Sequence, residues 1–138
     1  MSENNIRQIA VKWVGGYSTE IKVRDHMIKG DEPTSVGGAD TGPMPTEFLL
    51  SGVATCMTVA LAHFAKVQKL DLGTLEVTAS GEKHEVEARF DKINVDVSAD
   101  LPPDQLDKLL KFAKKYCVVG NTVSNGCDIN YITHSITA

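Results

Sequence analysis

The chain has 138 residues, 42% of them hydrophobic and 23% charged, with a formal net charge of -4. That length fits a single domain, residues 1–138, able to bury roughly 65–70% of its unfolded surface. The net negative balance and the scatter of Lys and Arg speak against nucleic acid or an anionic membrane as partner.

Three cysteines at wide spacing do not make a secreted disulfide scaffold. The first residues, Met1-Ser-Glu-Asn-Asn-Ile-Arg7, carry no apolar signal stretch. A reducing cytoplasm is therefore the expected location, where a disulfide is more often catalytic or sensing than structural.

Ile9, Val11 and Trp13 alternate with polar residues, Gly15-Gly16 makes a turn, and Tyr17–Val23 alternates again. This pattern predicts an N-terminal hairpin, with His26–Ile28 as a short third strand. Residues 29–45 are rich in Gly and Pro and predict a long ordered loop. Pro45 then opens a long helix over about Thr46–Gln68, with Glu47 at its positive end.

Residues 48–65 of that helix carry no formal charge, which matches a transmembrane span in length. Ser51, Gly52, Thr55, Cys56, Thr58 and His63 interrupt it, so the buried axis of a soluble fold is the preferred reading.

Gly73 predicts a turn, Leu75, Val77 and Ala79 a strand, and Gly81-Glu82-Lys83 a second turn. Phe90–Ser98 is the next strand, and Pro102-Pro103 starts a second helix. On it Leu106, Leu109, Leu110, Ala113 and Cys117 share one face. Asn125-Gly126 suggests a turn into a last strand over Asp128–Thr137. The fold class is α+β, with antiparallel hairpins before and between the helices.

Cys56 sits mid-helix, with Leu49, Val53, Ala60 and His63 roughly on its face. Cys117 continues the apolar stripe of the second helix, so the two thiols can meet if the stripes pack together. Small core residues and a redox pair are both compatible with that spacing. Cys127 is expected to be a packing residue at the start of the last strand. His26, His84 and His134 are isolated, and no short Cys or His spacing supports zinc, so no metal or other cofactor is expected.

Two stretches together resemble a known family. Gly42-Pro-Met-Pro-Thr-Glu-Phe-Leu-Leu50 followed by Ala54-Thr-Cys56, and Ala113-Lys-Lys-Tyr-Cys117-Val-Val119, are similar to the two cysteine motifs of the OsmC/Ohr family. Lys115-Tyr-Cys117 and Ile132-Thr-His-Ser135 look most like its small YhfA-like branch. The resemblance implies an OsmC-like fold: antiparallel sheets wrapped around a long central helix, in an intertwined homodimer with sites at the interface. It further implies a thiol-dependent peroxidase acting on organic hydroperoxides. Cys56 would be the peroxidatic thiol and Cys117 the resolving one, with a dithiol as reductant.

The chain also departs from the family pattern. Thr46 stands where the peroxidases carry the acid ten residues before the cysteine, with Glu47 beside it. Val118 replaces a proline, and Arg24 is the only arginine in the region that supplies the activating guanidinium, with Arg7 nearer the N-terminus. Glu47 and Arg24 are thus the possible orienting groups. The alternative is a non-enzymatic dimer binding a small apolar or electrophilic ligand at its interface.

Overall fold

The structure is a computed structural model and describes residues 5–137. Its elements run β1 (Ala10–Trp13), β2 (Thr19–Val23), β3 (His26–Gly30), α1 (Pro45–Val67), β4 (Leu75–Lys83), β5 (Phe90–Ala99), α2 (Pro103–Tyr116) and α3 (Val118–Asn125). The α+β class and the antiparallel pairing follow the sequence expectation. The chain divides into two compact units, Met1–Ser51 and Gly52–Ala138, with α1 starting in the first and continuing in the second.

In the first unit β1, β2 and β3 form an antiparallel sheet in chain order. Gly15 (φ 114°) and Gly16 (φ 55°) supply the left-handed backbone of the first turn. The Trp13 indole N–H closes that turn on the Gly16 carbonyl at 2.9 Å.

The loop after β3 is built on Asp31, the one charged side chain that is buried among the described residues. Its carboxylate accepts from Ser18 Oγ (3.0 Å), Glu32 N (2.7 Å), Ala39 N (3.5 Å), Thr41 N (3.2 Å) and Thr41 Oγ1 (2.7 Å). The Thr41 hydroxyl and then the Glu32 amide hold the Asp31 carboxyl well below the usual carboxylate range, outweighing burial. The chain returns close on itself here, and a Cβ at Gly38 would collide with the Glu32 carbonyl.

In the second unit the core is two helical stripes at four-residue spacing. Met57, Leu61 and Ala65 of α1 meet Leu109 and Ala113 of α2 and Cys117 just beyond it. Leu75, Val77 and Val97 of the β4–β5 hairpin pack against this cluster. Phe64 adds a second tie, stacking on Phe112 at 6.1 Å and lying 5.3 Å from Tyr116 between ring centroids. By length and composition α1 is apolar enough to cross a membrane, with a mean hydropathy of 1.7. Its buried residues nevertheless fall on one stripe, Val53, Met57, Leu61 and Ala65, as in a helix packed on a core.

Four expectations need correction. The β4–β5 turn is not at Gly81–Lys83, because β4 runs on to Lys83 and the His84–Arg89 segment turns the chain. Gly81 is in the strand to leave room for the Phe90 ring, which an added Cβ would meet at 2.7 Å. Asn125-Gly126 ends a helix rather than leading into a strand, with Gly126 (φ 76°) donating its N–H to Thr122 O at 2.8 Å. Asp128–Thr137 forms no strand among the described residues and lies exposed. Cys127, expected to pack, is exposed too.

Candidate functional site

The two thiols named from the sequence are brought together. Cys117 is 2% exposed within the core cluster, and half-buried Cys56 packs against that same cluster. Cys56 stands one residue before Met57 of the buried stripe, while Val59 and His63 on its other side are exposed. It therefore lies on the seam between the core and the open side of α1, reachable from solvent as its partner is not.

Cys117 sits at the break between α2 and α3. Its φ and ψ of -81° and 96° end one helix and start the next, and its Sγ accepts the Gly120 amide at 3.4 Å as the N-cap of α3. The exposed Thr122 and Ser124 hydroxyls bond back to the Val118 and Gly120 carbonyls one turn earlier, at 2.7 and 2.8 Å. Gly52, one turn before Cys56, has no Cβ and faces Val119, whose Cγ1 an added Cβ would meet at 3.7 Å. Val119 of α3 thus lies beside α1 one turn before Cys56.

Burial pushes the Cys117 thiol up, and the neighbouring Cys56 thiol raises it further. The Gly120 and Val119 amides pull the other way without overcoming this. Cys117 is therefore held as a neutral thiol at neutral pH.

Glu47 and Arg24 are both in the first unit. The Glu47 carboxylate accepts the Met44 N–H at 2.9 Å, a reciprocal cap on the start of α1, so it already has a structural partner. Arg24 is exposed in the β2–β3 turn with a φ of 53°, and it has no hydrogen-bond or ion-pair partner among the described residues. The described residues hold no cluster of three His, Cys, Asp or Glu fit for a metal ion.

Sequence reasoning missed α3 and with it the Gly120 donor. The only signal was Gly120 itself, three residues after Cys117, the spacing at which a capping side chain meets an N3 amide.

A family model described as OsmC-like protein matches residues 37–132, a span that holds both thiols. Among solved structures, the chain is similar to an OsmC-like protein from Mycoplasma pneumoniae, at a TM-score of 0.74 and 18% identity over 86% of this chain and 87% of that one. The organic hydroperoxide resistance protein OsmC from Legionella pneumophila matches at 0.63 and 22%, over 86% and 90%. The organic hydroperoxide resistance protein OhrB of Bacillus subtilis matches at 0.60 and 25%, over 86% and 90%. A comparison with curated proteins gives no match.

Proposed function

The chain belongs to the OsmC-like protein family, and from that premise we propose that it is a thiol-dependent redox protein that reduces organic or small hydroperoxides through Cys56 and Cys117. The observation that carries this reading is the pairing of a half-exposed thiol with a buried neutral one in a single cluster. The names of the Legionella and Bacillus relatives, both hydroperoxide resistance proteins, support it.

The deprotonated Cys56 sulfur attacks one peroxide oxygen. The O–O bond breaks and the alkoxide takes up a proton to leave as the alcohol. The sulfenic acid so formed condenses with the Cys117 thiol, releasing water and closing the disulfide. An external dithiol then reduces that bond and restores both thiols. Cys117 reacts through its sulfur as the thiol proton is given up, and that proton leaves with the sulfenic hydroxyl as the water released.

We read residues 1–138 as one OsmC-like domain nearest the YhfA-like branch, working in the cytoplasm as an intertwined homodimer. Leu49, Val59 and Val67 leave an apolar side of α1 open, and Ile129, Tyr131, Ile132 and Ile136 are exposed in the C-terminal segment. A second copy would cover such surface. Light scattering at micromolar concentration should give twice the chain mass, and a monomer would refute the dimer.

The functional test is consumption of cumene hydroperoxide with a dithiol donor. The wild type should turn over, Cys56→Ser should not, and Cys117→Ser should react once and then stall. Equal rates for wild type and Cys56→Ser would remove the peroxidase reading.

One observation favours the second reading, a non-enzymatic dimer that binds a small apolar or electrophilic ligand. Glu47 is committed to Met44, and Thr46 stands beside it without charge. Under that reading a small electrophile labels Cys56 stoichiometrically with no turnover of peroxide.

A further inference from the structure

A groove of about 690 Å³ lies between α2 and α3, lined by Lys108, Lys111, Phe112, Lys114, Lys115 and Asn121. Four of the chain's 14 basic residues fall within residues 108–115 of a protein whose net charge is -4, although its Lys and Arg are scattered elsewhere. None of the four lysines is in an ion pair among the described residues. Asp104 and Asp107 stand four residues before Lys108 and Lys111, yet neither closes a bridge to them.

Lys114 and Lys115 stand in the last turn of α2, where the negative end of the helix favours them, yet the four like charges still repel one another along one face. Lysines act as point charges suited to phosphate oxygens, whereas planar carboxylates favour the arginine fork. The groove also has an apolar side. Phe112 stacks on Phe64 and remains 45% exposed, and the lysine stems add apolar wall. Asn121 is fixed by donating its Nδ2–H to the Lys115 carbonyl at 3.2 Å, which leaves its Oδ1 open to a ligand donor.

We propose that this groove binds a small organic polyphosphate with a flat aromatic body, of the nucleoside diphosphate class, its phosphates among the four lysines and its ring against Phe112. A second copy of the chain is a poor occupant for a contact centred here, because a two-fold axis through this face would set the lysines against themselves. This site is separate from the thiol pair and stands whether or not the protein reduces peroxides.

The test uses the full chain in magnesium-free, low-salt buffer, titrated with ADP, pyrophosphate and adenosine. Calorimetry gives affinity, and amide shifts in a nitrogen-15 spectrum give location. ADP should bind with shifts confined to residues 108–121, pyrophosphate more weakly, and adenosine below detection. The exposed-site double variant Lys111→Gln/Lys115→Gln should keep its fold and lose about tenfold or more in ADP affinity. Phe112→Leu should weaken ADP by about tenfold and leave pyrophosphate unchanged. Absence of ADP binding, equal ADP affinity in the double lysine variant, or an equal effect of Phe112→Leu on both ligands would overturn the proposal. So would single-stranded RNA displacing ADP from the same lysines, which would make the face a nucleic-acid surface.

Discussion

The Cys117 sulfur accepts the Gly120 amide at 3.4 Å, so the buried thiol of the pair also caps a helix. A cap of this kind favours the thiolate, yet burial and the neighbouring Cys56 thiol favour the neutral form and prevail. With its folded pKa raised above the unfolded value, Cys117 adds stability that is full below the unfolded pKa, about 8.5. That contribution is lost as pH rises through the higher folded value. Thermal midpoints should therefore fall more steeply above pH 8.5 in the wild type than in Cys117→Ala, despite the lower starting stability of the variant. Cys56→Ala should bring alkylation of Cys117 to lower pH, since it removes the second cause of the rise. Parallel midpoint curves would show that Cys117 does not titrate as its burial demands.

Asp31 is the mirror case. Its carboxyl is held below the usual range, so its contribution is full above about pH 4 and is lost as pH falls below it. Asp31→Asn keeps size but changes one oxygen acceptor into a donor facing donors. Limited proteolysis should then cut within residues 32–43 at neutral pH, where the wild type resists. Thr41→Val removes only one of the five bonds and should have a smaller effect. The same loop in the wild type should become cleavable in acid. Equal resistance of Asp31→Asn would mean that the loop is held by its backbone alone.

Gly38 tests the return of that loop on itself. A Cβ there would collide with the Glu32 carbonyl, which is backbone and cannot swing aside. Gly38→Ala should cost about 1–3 kcal/mol in chemical denaturation. Gly52→Ala would meet Val119 only at ordinary contact distance, and it gains helix propensity. It should therefore be neutral or slightly stabilising, by up to about 1 kcal/mol. The reverse order of the two variants would contradict the packing around Glu32 and Val119.

How far the sequence could be read depended on whether a signal was local. Helix α1 was legible to within a residue at each end, because Pro45 and a long uncharged run mark it. The β1–β2–β3 meander was legible from alternation and from Gly15-Gly16. The approach of Cys56 to Cys117 was legible only as compatible stripes, since periodicity says which face is apolar and not what covers it. Gly81 looks like a turn residue until the Phe90 ring beside it is known. Val118–Asn125 is poor in helix formers, and its helix starts on the Cys117 cap, a device that periodicity does not report. The Asp31 node was invisible, because five donors scattered over residues 18–41 leave no period in the sequence. Alternation of Ile129 and Tyr131 does suggest a strand, but the described residues offer it no partner.

Leu61 tests whether the two stripes are the core that positions the thiols. It is fully buried, one turn beyond Met57, in the cluster that holds Cys117. Leu61→Ala should cost about 2–5 kcal/mol, from lost burial and from the cavity left between α1 and α2. Val86→Ala, at a site 89% exposed, should stay within about 0.5 kcal/mol. Because the cavity would open beside the cluster that shields Cys117, alkylation of that thiol should accelerate in Leu61→Ala under conditions where the variant is still folded. Val86→Ala should leave the labelling rate unchanged. A destabilised Leu61→Ala whose Cys117 stays as slow to label as in the wild type would show that the thiol is shielded by α3 rather than by the helix stripes.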